Sequence, residues 1–240
     1  PDHVARLFAG AGPVDLVVTD PPYGVAYQAD LTPEEAKRLN RRTDGKEVSN
    51  DSLGFDGTRA LIADAFRAVD LKPGGSFYVF GPPGPMQGSF FLGLEDAGLH
   101  ARHQLVWVKD RFVMGRCDYH YRHEIILFGW REGGPHFFVN DRTQDSVWEC
   151  ARPGRSEDHP TMKPLELVAK PIANSSRPGE TVYDPFLGSG TTMLASAQLG
   201  RRCFGMEVDP TYVDVILRRW EAATGEQAEW DSGDGSEDPT

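Results

Sequence analysis

Asp20, Pro21, Pro22 and Tyr23 set a carboxylate, two prolines and an aromatic ring side by side. The prolines fix φ and carry no N–H, so the stretch is stiff and its carbonyl oxygens are not tied into a ladder. A carboxylate and free carbonyls accept hydrogen bonds from a planar –NH2 group, and the Tyr23 ring offers a face for stacking on a flat one. This is the chemistry needed to hold the exocyclic amine of a nucleobase. Gly24 follows the tyrosine, and an apolar run at 14–18 precedes the motif. That run reads as a short buried strand. Asp20 is therefore expected where a strand ends and a loop begins, the edge at which open α/β sheets bind ligands.

A second cluster lies far along the chain. Asp184, Pro185, Phe186, Leu187, Gly188, Ser189, Gly190, Thr191 and Thr192 join an expected strand to an expected helix. Gly188 and Gly190 allow a ligand close to the backbone, and the helix start offers free N–H groups. Glu207 follows roughly twenty residues on, at the end of the next expected strand, the spacing of an acid that bonds ribose hydroxyls. No lysine follows the glycines and the full dinucleotide spacing is absent, so neither a phosphate-gripping loop nor a dinucleotide site is indicated. A nucleoside carrying a carboxylate but no phosphate, such as S-adenosylmethionine, fits the pattern. Phe186 would line its pocket, with Ser189, Thr191 and Thr192 completing the loop. Asp184 would hold the loop or meet the ligand's amine.

The elements that must position these groups alternate. Strands are expected at 14–18, 76–80, 105–108, 123–130, 181–183 and 203–208, with a short one at 137–139. Helices are expected at 58–70, 90–97, 163–173, 191–199 and 210–223, with Pro171 kinking or shortening the third. A turn is expected at 72–75. Alternating strands and helices imply a mostly parallel sheet with helices on both faces.

With both motifs placed, the chain resembles the β class of DNA amino-methyltransferases, in which the catalytic motif precedes the cofactor motif. Asp20 to Tyr23 resembles motif IV of that family, and the stretch from Asp184 to Thr192 resembles motif I. His159-Pro160-Thr161-Met162-Lys163-Pro164 is similar to motif X, a resemblance that makes Thr161 and Lys163 candidates for the cofactor's carboxylate side. Trp107-Val108-Lys109 with His123-Glu124 is similar to motif VIII, and Asn50-Asp51 to the short motif after motif IV. The surroundings of 115–120 look most like phage and prophage members. The resemblance spans 14–220 and implies a Rossmann-like α/β fold, S-adenosylmethionine as cofactor, DNA as partner and methyl transfer to a flipped-out base. Aspartate rather than serine at position 20 leans it toward adenine N6; cytosine N4 and a non-catalytic DNA-binding module are the alternatives. Members of the class are often homodimers and restriction-modification enzymes.

Composition sets the bounds. The 240 residues suit one α/β domain, expected at 1–222, with a small recognition segment at 131–158. Net charge is −11, but Glu226, Glu229, Asp231, Asp234, Glu237 and Asp238 fall after Glu221 without a balancing cation. Removing those six acids leaves the body at −5, and 223–240 is expected to be a disordered acidic tail. Basic residues concentrate at Arg38, Arg41 and Arg42 and again between 111 and 155. Arg111, Arg116, Arg122, Arg142 and Arg152 are the expected phosphate contacts, being interleaved with aromatics and histidines. Cys117, Cys150 and Cys203 suggest neither a disulfide framework nor a zinc site, and His103, His120, His123 and His136 lack metal-ligand spacing. No membrane partner or metal is expected, and a cytoplasmic setting is the simplest one. The first strand begins so early that an N-terminal piece is expected to be missing.

Overall fold

A computed structural model describes residues 12–24, 52–112, 118–152 and 162–229. The described strands are β1 (Val14–Thr19), β2 (Leu71–Gly81), β3 (Ala101–Val108), β4 (His123–Trp130), β5 (Val147–Glu149), β6 (Thr181–Asp184) and β7 (Arg202–Gly205). The described helices are α1 (Gly54–Arg67), α2 (Gln87–Asp96), α3 (Leu165–Ser175), α4 (Thr191–Gln198) and α5 (Pro210–Thr224). All seven strands join one sheet in the order β5-β3-β4-β2-β1-β6-β7. β4 runs antiparallel to both its neighbours, whereas the other pairs are parallel. The fold is Rossmann-like, with β1 lying between β2 and β6.

Both faces are covered, as strands apolar on both sides require. Val17, Phe77, Val79 and Leu127 pack with Ile62 and Phe66 of α1 and with Phe90 and Leu94 of α2. The alternate residues Leu16, Val18, Tyr78, Phe80 and Ile126 pack with Leu167, Val168 and Ile172 of α3 and Ala195 of α4. β1 pairs with β6 through Leu16–Val182 and Val17–Tyr183, so Asp20 and Asp184 leave the sheet at one pole.

Several expectations need correction. The turn at 72–75 is a bulge inside β2: Val14 faces Leu71, yet Leu16 already faces Ser76. Pro73 has no N–H to pair, and Gly74 adopts φ 78°. The segment 137–139 is not a strand; Val139 N–H is taken by the Asn174 carbonyl of α3 instead. The sheet edge is formed by β5, where Trp148 packs into the core. Pro171 neither ends nor shortens α3; it is buried inside a helix that runs to Ser175. That helix starts at Leu165, because a residue before proline is steered away from helical backbone. Lys163 therefore sits in the extended lead-in. β7 closes at Gly205, short of Val208.

Arg131 N–H donates to Gly75 O, and Gln144 is bonded by Asn174 at the end of α3. The segment 131–146 thus packs at the pole opposite Asp20. Among the described residues, no helix is long and apolar enough to cross a membrane. Arg38, Arg41, Arg42, Asn50, Asp51, Arg116, Cys117, Arg155, Thr161 and the tail from 230 lie outside the described residues.

Candidate active site

The two sequence clusters meet at the carboxyl end of β1. Thr19, the last residue of that strand, donates its hydroxyl to Asp184 Oδ1 at 2.6 Å. Asp184 also accepts the Thr192 hydroxyl at 2.7 Å and the Phe186 N–H at 3.0 Å. It is 3% exposed, and its role here is to tie β1, the glycine loop and the start of α4 together. Burial pushes its carboxyl up to about 6 against the pull of these donors.

Beyond Asp184 the loop turns through Gly188 at φ 55° and Gly190 at φ 81°. A side chain at Gly188 would meet nothing nearer than 4.0 Å, so the backbone there faces open space. Glu207 accepts the Gly188 N–H at 2.8 Å and the Val208 and Asp209 N–H groups at 2.9 Å. The Arg219 guanidinium of α5 holds the Ser189 carbonyl. Thr191 Oγ1 is buried without a hydrogen-bond partner. The loop is therefore built, braced from behind and open on one side.

The Asp20 corner contains groups that motif reading did not assign to the site. Lys163 Nζ donates to Asp20 Oδ2 at 2.5 Å and lies 3.2 Å from Glu124 Oε2. Tyr23 donates its hydroxyl to the same Glu124 oxygen at 2.6 Å, and lies 3.1 Å from Asp20 Oδ1. Lys109 Nζ takes the other Glu124 oxygen at 2.6 Å. Two carboxylates and two ammoniums thus form one set, with the Tyr23 hydroxyl among them.

Burial opposes ionisation of Glu124, yet Lys163 and Lys109 together hold its carboxyl at about 2. Burial and the neighbouring Glu124 raise the Asp20 carboxyl, while Lys163 pulls it down. Burial and the two carboxylates hold the Tyr23 hydroxyl far above the ordinary phenol range, so it remains a neutral donor. The Tyr23 ring meets Phe90 edge-on at 6.0 Å.

Glu124 reaches this pole because β4 is reversed, which brings its first residues to where the other strands end. It faces Trp107 in the β3–β4 register, and Lys109 follows directly after β3. A glutamate opening an otherwise apolar strand was the sequence signal for this group. Lys163 was expected near the cofactor loop; the structure brings it to Asp20.

The arginines divide. Arg111 and Arg122 are exposed on the β3–β4 connection at the Asp20 pole. Arg152 N–H donates to Asp110 at 3.1 Å, and its buried Nε has no acceptor among the described residues. Arg142 lies in the 131–146 segment, whose Val139 and Gln144 bond Asn174 at the end of α3, away from Asp20. No group of three or more His, Cys, Asp or Glu that could hold a metal occurs among the described residues.

A family model for DNA methylases, N6_N4_Mtase, matches residues 14–218. The chain is 28% identical over 228 residues to the type II methyltransferase M.HinfI of Haemophilus influenzae, covering 86% of this chain and 62% of that protein. It is 27% identical over 250 residues to the DNA adenine methyltransferase YhdJ of Escherichia coli K12, covering 90% and 79%. The chain thus spans less than two thirds of the length of M.HinfI. Among solved structures, the M1.HpyAVI–SAM complex superposes with a TM-score of 0.63 at 22% identity, covering 91% of this chain and 94% of that one.

Proposed function

Because this chain belongs to the N6-adenine/N4-cytosine DNA methylase family, we propose that it methylates the exocyclic N6 of adenine in DNA, with S-adenosylmethionine as donor. The observation that carries this reading is the 2.6 Å bond from Thr19 to Asp184. It ties the strand that leads into Asp20 to the carboxylate that opens the glycine loop, so the two motifs lie side by side at one end of the sheet.

The residues present suit the cofactor. Glu207 supplies a carboxylate for ribose hydroxyls, and Gly188 leaves its backbone open to a ligand. The Thr191 hydroxyl lacks a partner among the described residues, and Phe186, Ser189, Gly190 and Thr192 complete the wall. When bound, S-adenosylmethionine supplies an electrophilic sulfonium methyl group.

The chain's own groups prepare the acceptor. The base leaves the duplex, since its amine is out of reach within the stack. Asp20 and a carbonyl of the Pro21–Pro22 unit accept hydrogen bonds from the amine. These bonds draw the nitrogen lone pair out of conjugation with the ring. Asp20 also offsets the positive charge that develops on nitrogen, an effect strengthened where water is excluded. Tyr23 stacks on the base, and its hydroxyl is already anchored to Glu124. Positioning then provides much of the rate. Aspartate at position 20 supports adenine over cytosine.

The test is to incubate the chain with methyl-labelled S-adenosylmethionine and unmethylated genomic DNA, then digest to nucleosides. N6-methyldeoxyadenosine is the expected product, whereas N4-methyldeoxycytidine would reassign the base. Asp20→Ala should lower turnover by about 10²–10³-fold, the scale of losing one preorganised electrostatic group. Calorimetric affinity for S-adenosylmethionine should survive that change. Normal turnover in the variant, or no labelled nucleoside from the parent chain, overturns the assignment.

A further inference from the structure

One of the two Asp20 oxygens, Oδ2, is already taken by a cation. Lys163 Nζ lies 2.5 Å from Asp20 Oδ2 and 5.4 Å from the centre of the Tyr23 ring. Phe80 and Trp107 flank the same ammonium at 5.6 Å and 5.8 Å. Lys163 therefore occupies the corner assigned above to the target base. We propose that Lys163 is a placeholder cation on Asp20, and that Glu124 is the berth toward which its ammonium shifts when a substrate amine arrives. This rests on the reading of Asp20 as the amine acceptor.

The berth is prepared. Glu124 Oε2 already stands 3.2 Å from Lys163 Nζ, while Lys109 occupies Oε1. The shift is short, and it leaves every charge with a partner. Side-chain exposure fits an opening on one side: Asp20 is 29% exposed, against 9% for Lys163, 11% for Glu124 and 9% for Lys109. Asp20 is thus the most exposed member of the set.

The exchange meets a physical requirement. A buried carboxylate stripped of its cation takes up a proton and then donates where it should accept. A cation that never yields blocks the acceptor. A lysine shared between two carboxylates avoids both outcomes, because it remains within Coulombic range of Asp20 after moving. The charged groups facing Asp20 are Lys163 from the lead-in to α3, Glu124 from β4 and Asp184 from β6, with Lys109 behind Glu124 at the end of β3.

The experiment uses the full chain with Glu124→Gln, Lys163→Met and the double variant. Glutamine preserves shape and still accepts the Tyr23 hydroxyl, but the berth loses its charge and Lys163 stays on Asp20. Turnover should fall about ten-fold, the scale of one coupling inside a buried network, with DNA affinity little changed. Adding Lys163→Met should leave turnover at the level of Lys163→Met alone, since no cation then remains for the berth to receive.

The acid limbs of the two single variants should move in opposite directions. Removing the ammonium shifts the Lys163→Met limb to higher pH; removing the neighbouring carboxylate shifts the Glu124→Gln limb lower. Carbon-13 NMR titration of the Asp20 carboxyl in DNA-free enzyme should show the same two directions. Additive losses in the double variant, or limbs moving together, overturn the proposal. If Lys163→Met fails to fold, the Glu124→Gln limb and titration decide it: both lower supports, either unmoved overturns. A parent chain that methylates no DNA refutes the reading of the site. A parent that methylates while the variants behave additively refutes only the exchange.

Discussion

Asp184 shows how one buried carboxyl can be both brace and burden. Its three donors fix the loop, yet burial leaves the carboxyl pushed up to about 6. The folded chain therefore holds that proton more tightly than the unfolded chain, whose aspartates titrate near 3.9. The stability it contributes is whole below about pH 4 and is lost as pH rises through about 6, roughly 3 kcal/mol in all. Asp184→Asn carries no such charge, and Thr192 can rotate its hydroxyl to accept from the new amide. Urea unfolding at pH 4 and pH 7.5 should show the variant gaining on the parent by about that amount across the interval. An unchanged difference between the two proteins would mean that Asp184 is not under this strain. Glu124 behaves oppositely: its carboxyl is held at about 2, so its contribution is present above about pH 4 and fades only as pH falls through 2.

At the level of elements, helix α1 sets the exit of the Asp20 corner. Gly24 adopts φ 67°, and a Cβ there would lie 2.0 Å from Thr58 Oγ1, a fully buried atom on α1. Gly24→Ala combines left-handed strain with overpacking, so a loss of about 2–4 kcal/mol is expected in chemical denaturation. Methyl transfer should fall further than S-adenosylmethionine affinity, because the glycine loop lies on another strand. Equal losses of both would mean that the corner and the loop move as one body. The elements themselves were largely legible from local pattern: apolar runs gave the strands, and β4 matches its expected span. The two motifs were legible for the same reason, since each sits within a few residues of a strand end. The charged set around Asp20 was not. Tyr23 meets Glu124 across 101 positions and Lys163 across 140, and only the reversal of β4 brings those charges together. The strand expected at 137–139 failed because an apolar triplet does not reveal whether its N–H groups meet a sheet or the end of a helix.

For the molecule as a whole, the two poles of the sheet differ in what they offer to DNA. Arg111 and Arg122 share the pole of Asp20, whereas Arg142 is held at the other. Binding to duplex DNA should weaken linearly on a log–log plot against salt. Arg111→Ala with Arg122→Ala should reduce that slope by about 2, one unit for each lost phosphate contact. Arg142→Ala should leave it unchanged. A reduced slope for Arg142→Ala would put DNA across the opposite end of the sheet and detach binding from the proposed chemistry.

The reversal of β4 also frees part of the chain to vary. β3 ends and β4 begins at the pole of Asp20, while the glycine loop is braced from β1, β6 and α5. Lengthening or recharging the sequence between Val108 and His123 should therefore leave the glycine loop in place. A graft there is a route to redirecting target choice in a scaffold whose chemistry stays as it is.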